Sequence, residues 1–280
     1  VSEQPKPQQP SQAETQVKGA RSKAPLWPKI WPYTAAIGSL LVIWEIASLI
    51  IGKSFILPDV AGTIPYLFRS FGNSEFTAGI YSSLYRLVIG YPIACILGAL
   101  LGLIAGISRT FAIYLRSLIS ILQSIPPITW VPFLTLLLGF SDATIISVII
   151  IASFFPMALS VMNGTEGVNK THLELARVMG ANKGQLLSKV FAPESLPSFV
   201  TGAQVAFGNA WRSLISAEMV GSASVGLGKY LDHQSQIANM KGVLISIIVI
   251  GCIATVIDHV VLERIKRRLL RWRYVSGGRK

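Results

Sequence analysis

Residues 164–197, GTEGVNKTHLELARVMGANKGQLLSKVFAPESLP, form the only long polar interval between strongly apolar segments of this chain. The interval has internal order. Thr171 followed by Glu174 has the S/T-x-x-E spacing of a capping box, in which the hydroxyl takes a first-turn amide and the carboxylate reaches back. This spacing predicts a helix over 172–179, stopped at Gly180, which supplies a left-handed residue. Asn182 and Gln185 offer a second start of the same kind. Leu186, Leu187, Val190 and Phe191 give that second helix an apolar strip, and Pro193 is expected to limit its length. Two short helices joined at Gly180 and held between two membrane spans read as a docking surface rather than a tether.

The surroundings of this loop set its compartment. With 280 residues, 51% hydrophobic and 14% charged, the chain is far too apolar for an ordinary soluble domain. It has room for one membrane domain in a lipid bilayer and for no second globular one. A net charge of +12 could suggest nucleic acid, but the basic residues flank apolar runs and line no polar face, which excludes that partner. Cys95 and Cys252 both sit inside apolar segments and read as packing residues, with no metal spacing around them.

Taken in order, the chain reads as all-α, an integral membrane protein of six transmembrane helices. Residues 1–30 are rich in Pro, Gln and Lys and read as a disordered tail. No cleaved leader is expected, because the first apolar run starts near Trp31 and is long enough to span. The membrane domain covers 31–263, with spans expected at 33–51, 82–107, 113–138, 143–162, 199–221 and 243–262, and a basic tail follows over 264–280. A short interfacial helix is expected between the first two spans. Gly52-Lys53-Ser54 mimics the end of a P-loop, but Ala47 stands where its first Gly belongs, so the chain has no such nucleotide site. In the second span Gly90, Ala94, Gly98, Gly102 and Gly106 recur every fourth residue, a bare stripe that lets another helix approach closely. In the third, Pro126, Pro127 and Pro132, with Trp130 among them, free carbonyls in mid-membrane, as suits a pore-lining segment. Lys and Arg concentrate in the tail, around Arg109 and Arg116, in the 164–197 loop and at the C-terminus, which places both termini and the loop in the cytoplasm.

Several of these positions carry a resemblance. Glu174, Ala176, Gly180, Val190 and Pro193 fall at the spacing of the EAA loop in membrane subunits of bacterial ABC importers, with Leu175 and Ala192 departing from it. Trp44-Glu45, Ser83-Leu84-Tyr85-Arg86 with Gly90, the stretch 126–132, Ala217-Glu218-Met219, and Gly226-Leu227-Gly228 with Tyr230 resemble the nitrate, sulfonate, taurine and bicarbonate permeases. The resemblance implies the type I importer permease fold in a bacterial cytoplasmic (inner) membrane. It implies two copies forming a pore, two ATP-binding subunits seated on the loops, and a periplasmic or lipid-anchored solute-binding protein. Coupling then falls to Thr171, Glu174, Ala176, Gly180 and Pro193. ATP and Mg belong to the partners, so the chain itself has no cofactor and catalyses nothing. Permeases for vitamin-precursor pyrimidines share much of this sequence, which leaves two substrate classes open.

Ionisable residues inside the spans are costly and mark function by default. The candidate path residues are Pro126, Pro127, Trp130, Trp211, Arg212 and Glu218. Arg212 has two readings: a planar donor for an oxyanion, or a structural ion pair. Glu218 is a poor partner on the same helix, since i and i+6 lie about 120° apart. Arg86 and Glu45 read as structural or interfacial residues, with Arg86 snorkelling from the membrane edge. An ion-coupled secondary transporter would need an internal repeat and a midplane carboxylate relay, and neither is visible. A membrane enzyme is disfavoured because the polar clusters lie outside the spans.

Overall fold

The computed structural model describes residues 27–220 and 225–270, which are helical or lie in the turns between helices. Most of the expected tail, together with Arg271 and Arg273, lies outside the described residues. The described residues fall into two separate units, divided between Gly52 and Lys53. The first holds α1 (Trp27–Ile51), which begins inside the stretch read as tail. Two of its hydroxyls bond back to its own carbonyls, Thr34 Oγ1 to Trp31 at 2.9 Å and Ser39 Oγ to Ala36 at 2.9 Å. Such pairing removes most of the cost of carrying them in an apolar helix.

The second unit runs through α2 (Val60–Ser70), α3 (Ser74–Ile107), α4 (Arg109–Gln123), α5 (Trp130–Leu138) and α6 (Asp142–Glu166). It continues with α7 (Lys170–Val178), α8 (Lys183–Leu186), α9 (Ala192–Met219), α10 (Leu227–Gln236), α11 (Met240–Val256) and α12 (Glu263–Leu269). Asp59 and Asn73 cap α2 and α3 through their side chains, on Gly62 N at 2.9 Å and Glu75 N at 2.9 Å.

Its centre is a layer of three helices in which α6 lies against both α3 and α9. Small residues make both contacts possible. A Cβ on Gly98 would stand 2.8 Å from the Phe154 carbonyl oxygen and 3.0 Å from Met157 Cβ, so α3 and α6 meet nearly backbone to backbone. Gly90 faces Ile149, Gly102 faces the Ala158 carbonyl, and Gly106 faces Thr165 along the same stripe. Across the other contact Ser160 Oγ donates to the Ser198 carbonyl at 2.8 Å, beside Gly164 and Gly202. In lipid, where apolar surface gains little by leaving its surroundings, this close van der Waals packing holds helices together. Replacing Gly98 with Leu should therefore separate α3 from α6 and cost about 1–3 kcal/mol by overpacking. A wild-type melting temperature for that variant in detergent would contradict this.

The expected third span is not one helix. Its two halves, Arg109–Gln123 and Pro127–Leu138, meet at 72°. Pro126 is extended (φ −56°, ψ 134°) and ends the helical path, and Thr129 Oγ1 satisfies the Pro126 carbonyl at 2.7 Å. Among the described residues, Thr34–Ile51, Ser74–Ile107, Asp142–Glu166 and Met240–Leu269 are long and apolar enough to cross a membrane, and the bent pair makes a fifth. Helix α9 is long, at 28 residues, but carries Glu194, Asn209, Arg212 and Glu218 and is not among them.

Candidate functional site

The loop between α6 and α9 is built by local hydrogen bonds. Its first cap differs from the expected one. Asn169 is the N-cap of α7, and its Oδ1 accepts from Thr171 N at 2.9 Å. Thr171 therefore lies inside the first turn, and Glu174 is too far along to reach back. Asparagine caps at least as well as threonine, and starting the helix at Asn169 lengthens it. The carboxylate at this end comes instead from Glu194 on α9, which accepts from Asn169 N at 3.2 Å and touches His172 Nδ1. One residue thus ties the start of the loop to its return.

The end of α7 is a Schellman turn. Gly180 has φ +83°, its N–H donates to the Arg177 carbonyl at 2.9 Å, and Ala181 N donates to the Ala176 carbonyl at 3.0 Å. Asn182 and Gln185 then form a reciprocal capping box, at 2.8 and 2.9 Å. Pro193 does not end the second helix, contrary to expectation. A wide turn over Leu187–Phe191 precedes α9, and Pro193 sits in that helix's first turn. The wider turn makes room for the ring and removes the need for its missing N–H. On α7, Glu174, Leu175, Val178 and Met179 are exposed while Ala176 is half-buried. Val178 at 86% and Met179 at 79% exposure form an apolar face that nothing described covers.

A second feature opens at the break before α5. Pro127, Ile128, Asn209, Arg212, Ser213 and Ser216 line a cleft of about 220 Å³. Arg212 is exposed, and its Nη2 donates to Asn209 Oδ1 at 2.9 Å, which holds the guanidinium while leaving its other donors available. Of the path residues expected from sequence, Pro127 and Arg212 meet here. Trp211 is 4% exposed and packs in the core, and Trp130 sits edge-on to Phe133 (ring centroids 6.1 Å). Pro126 is exposed but does not line the cleft.

Glu218 also lies outside this cleft. It is fully buried and accepts from Ser83 Oγ at 2.8 Å, Gly228 N at 2.9 Å and Arg86 Nη1. Arg86 does not snorkel. At 2% exposure it pairs with Glu218, donates to Asp142 Oδ1 from Nε at 2.8 Å, and donates to the Val225 carbonyl from Nη2 at 2.7 Å. Ser83 Oγ also accepts from Leu227 N at 2.9 Å. The network clamps the start of α10 against α3 and α9, and a Cβ on Gly228 would collide with the Ile215 carbonyl. Charges buried at this depth persist only when paired and fully hydrogen-bonded. Arg212 and Glu218 form no pair. The sequence carried the parts of this clamp in three separate motifs but not their meeting.

Residues 98–271 match the family described as binding-protein-dependent transport system inner membrane component. An ABC transporter permease protein of Methanocaldococcus jannaschii is 32% identical, over 83% of this chain and 88% of that one. The aliphatic sulfonates transport permease protein SsuC of Bacillus subtilis is 29% identical (85% and 86% covered), and the nitrate import permease protein NrtB of Synechocystis 27% (83% and 86%). Among solved structures, the inward-facing MetNI methionine ABC transporter superposes with TM-score 0.60 at 20% identity, covering 70% of this chain and 96% of that one. That likeness concerns the fold.

Proposed function

Because the chain belongs to the binding-protein-dependent transport system inner membrane components, and so is a permease subunit of an ABC importer, we propose that it forms the translocation path for a small anion. The observation that carries the anion reading is Arg212, an exposed guanidinium held by Asn209 in a cleft with the hydroxyl residues Ser213 and Ser216. A fork of planar donors beside hydroxyls suits an oxyanion, and the sulfonate and nitrate permeases among the relatives support that chemistry.

In this reading α9 is the remaining span. At about 1.5 Å per residue its length exceeds the roughly 30 Å hydrocarbon core, and its polar residues face protein or the path, away from lipid. Six spans place both termini and the α7–α8 loop in the cytoplasm of a cell whose inner membrane holds the protein. Two copies enclose the path. An ATP-binding subunit docks on each exposed α7 face, where Glu174 offers a carboxylate beside Leu175, Val178 and Met179. A solute-binding protein delivers the anion from outside. ATP-driven closure of the docked subunits moves α7, and Gly180, at the joint with α8, lets α7 pivot against the helix that leads into the membrane.

The test is uptake by vesicles reconstituted with the cognate ATP-binding subunits and binding protein. Nitrate or an aliphatic sulfonate should be taken up in preference to a neutral pyrimidine. Arg212→Lys keeps the charge and loses the fork. It should lower anion uptake about tenfold, the size of one charged hydrogen bond, with thermal stability unchanged. Pyrimidine uptake without anion uptake would replace this reading, as would an Arg212→Lys variant with lowered stability and intact selectivity.

A further inference from the structure

A cavity of about 1220 Å³ lies where the C-terminal ends of α3 and α6 meet the start of α4 and the inner side of the α7–α8 loop. Its rim is strongly basic. Arg109, Arg116, Lys170, Arg177 and Lys183 line it against the single acid Glu166. Arg116 is matched by Glu166 at 3.0 Å. The side chains of Arg109, Lys170, Arg177 and Lys183 have no hydrogen bond or ion pair among the described residues, although four like charges around one cavity repel each other.

The wall beneath the rim is apolar, with Ile113, Leu173, Leu187 and Phe191. Size decides what such a site can hold. Pockets for drug-sized molecules occupy about 300–1,000 Å³, so a small inorganic anion would leave this one nearly empty and its apolar wall unused. The cavity also sits at the C-terminal ends of α3 and α6, two helices long and apolar enough to cross a membrane, and the ends of such helices meet the headgroup layer. We infer that it binds an anionic phospholipid, with the phosphate among Arg109, Lys170, Arg177 and Lys183 and the upper acyl chains against Leu173 and Phe191. Bound there, the lipid neutralises the cluster and braces the inner face of α7, opposite the face left for the ATP-binding subunit. This inference concerns a different surface from the Arg212 cleft and does not depend on the transported solute.

The experiment uses the full purified chain in detergent, with dioleoyl phosphatidylglycerol, dioleoyl phosphatidylcholine and inorganic phosphate as probes. Retained lipid is read by native mass spectrometry and stability by thermal unfolding. Phosphatidylglycerol should be retained and should stabilise; phosphatidylcholine should do neither. In Arg109→Gln/Lys183→Gln the preference should fall about fivefold for each charge removed, in line with one basic residue near an anionic surface. Lys53→Gln/Lys229→Gln removes the same charge outside the cavity and should keep the preference. Equal losses in both double variants, or none in either, would overturn the site. Stabilisation by inorganic phosphate alone, abolished by the cavity variant, would overturn the lipid in favour of a free anion.

Discussion

Replacing Glu218 with alanine should cost about 3–5 kcal/mol, because it leaves a buried guanidinium without its main counter-charge. Arg86 would keep Asp142, but that carboxylate is 52% exposed and screened by solvent. Ser83 Oγ and Gly228 N would lose their acceptor at the same time. The expected result is low yield and a sharply lowered melting temperature in detergent. Glu218→Gln separates the contributions: its amide oxygen can still accept from Ser83 and Gly228, so the variant should fall between wild type and alanine. Arg86→Ala should behave like Glu218→Ala, while Arg212→Ala should melt like wild type, since Arg212 is exposed and takes no part in the clamp. Wild-type stability of Glu218→Ala would mean that the start of α10 is held by its apolar contacts, such as Phe76 on Tyr230 at 5.1 Å between ring centroids, and needs no ion pair.

The second large effect concerns Gly180, and it is an effect on transport. Proline there would demand φ near −65° where the chain holds +83°, and it would delete the N–H that reaches the Arg177 carbonyl. Gly180→Pro should abolish both uptake and the stimulation of ATP hydrolysis in reconstituted vesicles, while insertion into the membrane continues because the spans are untouched. Graded substitutions test the cause. A Cβ at position 180 meets nothing within 4 Å, so Gly180→Ala suffers backbone strain alone, about 1–2 kcal/mol. Asparagine tolerates the left-handed region better and should retain more activity than alanine. Gly184→Ala should be nearly neutral, since its Cβ stands at an ordinary 3.5 Å from Asn182 Oδ1. Full transport by Gly180→Pro would show that the turn between α7 and α8 is not the joint through which motion passes.

Features that close within a few residues along the chain are legible from residue identity alone. The left-handed stop at Gly180 and the Asn182–Gln185 box each close within about one helical turn, so residue identity and spacing suffice to specify them. The every-fourth-residue stripe from Gly90 to Gly106 names a close-packing face, because helix geometry alone aligns those positions. Even the separation of Arg212 from Glu218 follows from six residues of helix. Partners far apart along the chain emerge only from the packed helices. Glu218 reaches Arg86 across 132 residues, and Glu194 caps Asn169 across 25. Once Asn169 took the cap, Thr171 moved into the helix, and the box expected of Thr171 with Glu174 could not form. Such pairs depend on how three helices approach, and that approach is set by the shapes of packed side chains, which no local spacing encodes. For the same reason Pro193 reads as a stop in sequence and yet lies inside a helix: packing along α6 holds α9 in place, and a widened turn costs less than breaking it.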